Sequence, residues 1–220
     1  MTESAPPPSA PRIDISLSIA PSTHSFSCPT PPTLTMTLLS HATFPITIFV
    51  WDTALHISRA LNNRGITITD LETNTSVPTT RILVQRAAIT RIHGSYDEEL
   101  YLELPPGVPV QLQRAFGRNV DVKPLPKHIV QKGWEIDDQG RERRIRRSTQ
   151  ATGVDGLEAG KEYRIGVNME TLGKCRWAFA TKDEVLVNRG EGGSYPQDFD
   201  WETERKIEWS VKEATVSVED

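Results

Sequence analysis

Apolar and polar residues alternate over several short stretches of the chain. Ile13, Ile15, Leu17 and Ile19 fall on one side of an extended segment, and Asp14, Ser16 and Ser18 on the other. A period of two marks a strand with one buried face. Leu34, Met36 and Leu38 repeat the pattern. Pro45–Trp51 is a run of β-branched and aromatic residues suited to a central strand. Residues 53–61 fit a short helical turn or a strand edge equally well. Further strands are expected over 66–71, 77–85, 98–104, 108–115, 163–167 and 175–180, with one closing strand over 207–218. Pro105-Pro106-Gly107 marks a turn, so 98–104 and 108–115 either pair or form a corner between sheets. Thr181 and Glu184 have the spacing of a capping box, which predicts a single helical turn. Many short strands with almost no helical periodicity predict an all-β sandwich or barrel.

Composition adds the ends and an insertion. Eight of the 16 prolines lie in the first 32 residues, and no glycine precedes Gly65. Residues 1–12 therefore read as a disordered Pro/Ser tail, and 13–220 as a single domain. Residues 117–150 are basic and lack apolar periodicity, so they read as a long insertion with one hairpin around Asp138-Gln139-Gly140. Within it Arg141, Arg143, Arg144, Arg146 and Arg147 crowd into seven positions. The functional readings are an acidic-partner patch, a nuclear-import signal or a basophilic kinase site at Thr149. The plain alternative is a solvated loop. The net charge of −4 and the absence of aromatic residues among the arginines argue against nucleic acid. No run of about 18 apolar residues predicts a membrane helix. The start of the chain has no apolar signal core, so the expected location is cytoplasmic, or nuclear through 141–147. Cys28 and Cys175 are too few for a disulfide framework or a zinc site, and both are expected as free, partly buried thiols.

Candidate chemistry is sparse. His93, Asp97 and His128 are the titratable candidates, as His93 with Asp97 in His93-Gly94-Ser95-Tyr96-Asp97-Glu98, or His128 with Glu135. No nucleophile elbow, phosphate loop or dinucleotide motif occurs. No metal or cofactor is implied. Trp51, Trp177 and Trp209 sit in or beside strands and are expected in the core. Trp134 and Trp201 sit in loops and are expected, with the arginines of 141–147, on a partner-binding surface.

One stretch carries a more specific signal. In Leu157-Glu158-Ala159-Gly160-Lys161-Glu162-Tyr163 the glycine allows a tight corner, and the tyrosine opens the next strand. There its ring can be buried while its hydroxyl reaches nearby backbone, the tyrosine-corner arrangement of Greek-key sandwiches. Leu157-x-x-Gly160-x-x-Tyr163-x-x-x-Val167 resembles the corner between the fifth and sixth strands of fibronectin type III and related immunoglobulin-like domains. The strand order before it is similar to immunoglobulin-like domains at the front of some secreted fungal metalloproteases and in small bacterial proteinase inhibitors. The Trp177–Leu186 segment, Trp-Ala-Phe-Ala-Thr-Lys-Asp-Glu-Val-Leu, resembles one in fungal-type proteins of unknown function. The resemblance implies an immunoglobulin-like antiparallel β-sandwich with Greek-key connections, though the Cys…Trp…Cys spacing of true immunoglobulin domains is missing. The function expected is an intracellular module that binds a protein partner or a ligand. An enzyme with a pocket formed by the 117–150 and 188–204 loops is the alternative.

Overall fold

The computed structural model describes residues 10–25, 28, 30–78, 82, 85–117, 134–136, 139–140, 142–144, 153–154 and 156–219. The chain is mostly strand. β1 (Arg12–Ala20), β3 (Thr33–Ser40), β7 (Val110–Ala115) and β12 (Glu208–Lys212) form one sheet in the order β12-β1-β3-β7. β2 (Thr23–Ser25), β5 (Ile66–Asp70), β10 (Glu162–Val167) and β13 (Ala214–Glu219) form a second, in the order β2-β13-β10-β5. Their inward residues share one apolar core. Ile13, Ile15, Leu17, Leu34, Met36 and Leu38 come from the first sheet, and Ile68, Tyr163, Ile165, Val216 and Val218 from the second. The expected all-β class is therefore present, with these two sheets contributing to one core.

The sheets are mixed rather than antiparallel. β12 runs parallel to β1, and β13 parallel to β2. Each returns to the amino-terminal strands after a long excursion, and such a connection permits parallel pairing where a hairpin cannot. The single closing strand expected over 207–218 is in fact two, which change sheets at Glu213. The expected first strand is β1 whole, and β2 is a further short strand that follows it and joins the second sheet. Pro11, assigned to the tail by its composition, is buried, and its carbonyl accepts the Glu208 amide at 2.9 Å. Residues 1–9 lie outside the described residues.

β4 (Ile46–Phe49), β6 (Tyr101–Leu104) and β11 (Arg176–Ala178) make a third sheet, ordered β11-β4-β6. β6 pairs with β4 and β7 with β3, so the Pro-Pro-Gly turn is a corner between sheets. Residues 98–100 belong to a 3₁₀ turn (Tyr96–Leu100) rather than to the strand. Of the strand expected over 77–85, the described residues show the Thr69–Ser76 bridge beside it, a Val77 amide bonded to the Ile68 carbonyl and an Ile82 amide bonded to the Asn62 carbonyl; 79–81 and 83–84 lie outside the description. Both faces of the third sheet are covered. Ile46 and Ile48 join the main core. Thr47 donates its hydroxyl to the Ala180 carbonyl, and Phe49 packs on a second cluster of Leu100, Tyr101, Ala178, Val185, Leu186 and Trp201.

Among the described residues there are three short α-helices: α1 (Ile57–Ala60), α2 (Met169–Leu172) and α3 (Lys182–Val185). α3 is the turn expected from the capping box, and Thr181 and Glu184 make both of its hydrogen bonds. β8 (Trp134–Ile136) and β9 (Glu142–Arg144) pair as a hairpin within the basic insertion. The rest of 117–150, apart from Gly117, Gln139 and Gly140, lies outside the described residues.

The corner before β10 is tight. Gly160 has φ +80°, a left-handed value, and its amide donates to the Val218 carbonyl at 2.8 Å. The Tyr163 ring is fully buried, and its hydroxyl accepts the Glu158 amide at 2.9 Å. Among the described residues no helix is long and apolar enough to cross a membrane.

Candidate functional site

β4 ends at Phe49, and the chain then turns sharply. Asp52 has φ +61°, in the left-handed region that Asp tolerates better than most residues. Thr53 fixes the turn by donating its hydroxyl to the Val50 carbonyl at 2.7 Å. The segment after it is anchored by the buried Ala54, Leu55, Ala60 and Leu61. At Gly65 an added Cβ would lie 2.7 Å from the Ala54 Cα, so this helical segment packs directly on the return strand. Trp51 stands half-buried at the mouth of the turn, not in the core.

Trp51 borders two adjoining hollows. One, of about 500 Å³, is lined by His56, Arg59 and Asn62 on one side and by Arg86, Tyr96 and Glu99 on the other. The second, of about 960 Å³, shares Trp51, Arg86 and Ala87 with it and extends to Arg176, Tyr195 and Gln197. His56, Arg59 and Asn62 are spaced by three, so the helical turn through α1 sets them on one face. The Arg59 guanidinium lies 4.4 Å from the centre of the Trp51 ring, and that of Arg86 lies 4.9 Å from it. The His56 ring is 5.3 Å away. Tyr96 is 81% exposed on the rim.

Several polar atoms here are unsatisfied. His56 is 8% exposed, and its Nδ1 has no hydrogen-bond partner. Arg59 Nη1 and Asn62 Oδ1, also buried, have none either. Buried polar atoms are nearly always paired, so three orphans on residues that line one cavity are unusual. Burial first, then the positive charge of Arg59 and Arg86, pushes the His56 imidazolium down to about 4; Asp52 pulls weakly the other way. His56 is thus neutral at pH 7, a donor or an acceptor at Nδ1 according to its tautomer. Beneath it Arg114 donates to the Ile57 and Ser58 carbonyls at 3.2 and 2.8 Å, and burial lowers its pKa to about 10.

The structure redistributes the residues singled out from sequence. Asp97 is buried and spoken for: Arg86 donates to one oxygen, and the Thr90 amide and hydroxyl to the other at 2.8 and 3.2 Å. It holds Arg86 against Trp51. His93 lies in the neighbouring turn with its amide bonded to the Val187 carbonyl, and no hydrogen bond joins its ring to Asp97. His128, Arg141, Arg146 and Arg147 lie outside the described residues. Trp134 faces Arg144, and Glu135 faces Arg143, across the hairpin; only their backbones are described. Trp201 is a correction. It is buried, stacks on Tyr101 at 6.5 Å, and donates its indole N–H to the Pro196 carbonyl at 2.5 Å. The loop carrying it folds over the third sheet, and its indole packs among Phe49, Tyr101 and Phe199. Trp51, expected in the core, is instead half-buried and lines the hollow. Cys28 is exposed rather than partly buried, and Cys175 is half-buried with its thiol pushed up to about 12 by burial.

Sequence reading missed His56, Arg59 and Asn62. Their three-residue spacing was the available signal, weakened by the doubt over whether 53–61 is helical. Among the described residues no three His, Cys, Asp or Glu side chains converge as a metal site. No family model matches the chain, and no curated protein matches it.

Proposed function

We propose that the protein is a ligand-binding module on an immunoglobulin-like, Greek-key β-sandwich, with its recognition site in the hollow beside Trp51. The observation that carries this reading is the trio of partnerless buried atoms on His56, Arg59 and Asn62. Leaving such groups dry and unpaired costs about 1–3 kcal/mol each, a cost that a bound ligand offsets. The half-buried Trp51 and exposed Tyr96 give the hollow aromatic walls, and its volume suits a small molecule. Binding fits better than catalysis. The described residues give His56 Nδ1 no carboxylate to orient it as an acid–base dyad requires. The tight corner at Gly160 and Tyr163 and the two sheets that share one core support the immunoglobulin-like reading of the scaffold.

Thermal-shift screening of the full chain and of Trp51→Ala against a small-metabolite library tests the function. A ligand at a hundred times its Kd adds about 2.7 kcal/mol of stability. Compounds should stabilise the full chain and lose that effect in the variant. Equal stabilisation of both by every active compound would remove the site from consideration.

A further inference from the structure

We infer that the Trp51 hollow recognises an oxyanion, the phosphate or carboxylate of a small organic ligand, seated between Arg59 and His56. The inference rests on the ligand-binding reading and specifies its chemistry. Arg59 offers a buried Nη1 with no acceptor, and guanidinium is the side chain best matched to phosphate and carboxylate oxygens. His56 lines the same cavity, and its buried, unpaired Nδ1 can serve an anion as the N–H donor of a neutral ring once a side-chain adjustment admits the ligand. Asn62 can present either end of its amide by a half-turn of the side chain. An anion placed here lies within the field of three guanidinium groups, since Arg86 closes the opposite wall and Arg114 lies under the floor.

The rival is a cation in an aromatic cage of Trp51, His56 and Tyr96. The face of Trp51 is already occupied by two guanidinium groups at 4.4 and 4.9 Å, and a third cation would meet their repulsion. Glu99 is the only carboxylate among the described lining residues, and Asp97, which offsets Arg86, is turned away into its own hydrogen bonds. Tyr96, exposed on the rim, supplies contact for an apolar or ring-bearing body attached to the anion.

The test is calorimetric titration of the full chain with phenyl phosphate, benzoate, inorganic phosphate, benzyl alcohol and benzyltrimethylammonium. Phenyl phosphate should bind, and more tightly than inorganic phosphate, which lacks the ring. Arg59→Gln should weaken phenyl phosphate and benzoate at least tenfold, with Arg59→Lys recovering part of the loss. An unchanged melting curve shows that each variant is folded. If Arg59→Gln does not fold, the wild-type His56 ring resonances serve instead: phenyl phosphate should shift them and raise the imidazole pKa, while benzyl alcohol should not. Binding of benzyl alcohol or benzyltrimethylammonium as tight as that of phenyl phosphate, or anion binding indifferent to Arg59→Gln, would overturn the oxyanion inference. Either result leaves the hollow a ligand site. Failure of all five probes also overturns it, while the comparison of the full chain with Trp51→Ala separately decides the ligand-binding reading.

Discussion

The main core and the aromatic cluster outside the third sheet solve the same problem differently. The main core is filled by alternating aliphatic residues from paired strands, and its most conspicuous polar atom, the Tyr163 hydroxyl, is bonded to the Glu158 amide. The aromatic cluster is closed by loops, and it relies on large rings. Trp201 packs against Tyr101, Phe199 and Phe49, with ring centres 4.9–6.5 Å away. Few residues from irregular chain can cover a sheet face only if each covers a large area. Such a cover is less complete in its hydrogen bonding. Tyr101 keeps an unpaired buried hydroxyl, and Arg91 spans the cluster with its Nε unpaired while another nitrogen serves the Val185 carbonyl. The orphan atoms of the Trp51 hollow lie on the 56–62 segment, a short helical turn whose apolar residues pack on the main core. Regular pairing saturates backbone and side chains together, whereas loops leave polar groups that a site can use.

The strongest way to break this comparison is to excavate each region. Trp201→Ala should cost about 3–5 kcal/mol and Met36→Ala about 2–5 kcal/mol, read from urea unfolding. Both variants should unfold in one transition. A separate early transition confined to Trp201→Ala would make the aromatic cluster an independent unit. Tyr163→Phe comes next, at about 1–2 kcal/mol, because it strands the Glu158 amide in a part-buried site. A smaller signature lies in pH. His56 has a folded value of about 4 against 6.5 in the unfolded chain, so the unfolded chain binds the extra proton between those values. Its contribution is complete above pH 6.5 and is lost as pH falls toward 4. His56→Gln should flatten that part of the stability–pH curve. Tyr101→Phe should do least, with a midpoint unchanged or raised by at most about 1 kcal/mol, since it deletes a hydroxyl that has no partner. A loss as large as that of Tyr163→Phe would show that the two hydroxyls are equivalent after all.

Much of the strand pattern was legible in residue parity. The odd-numbered series Ile13–Ile19 and the even series Leu34–Leu38 lie inward as their alternation requires. The sheet changes were legible too, although they were not recognised. Trp209 and Val211 pack on the core on odd positions, but Ala214, Val216 and Val218 do so on even ones. A one-residue slip moves every side chain to the other face, so the series cannot be a single flat strand. The same slip separates Ile19 from the buried His24. The site was harder to read. Its two walls are joined only by the fold, one at 56–62 and the other at 86–99. Trp51 falls one residue beyond Val50, where Asp52 redirects the chain, and strand alternation carries no information past that point. Trp201 was misplaced for the opposite reason, because a loop position was equated with exposure.

The parallel pairing of the first and last strands has a mechanical consequence. Five residue pairs join β1 to β12, and three join β2 to β13, all between chains running the same way. Tension applied beyond Arg12 and Glu219 would slide these neighbours along one another, so the cross-links share the load and do not peel open one at a time. Under such tension both seams are expected to bear load in shear.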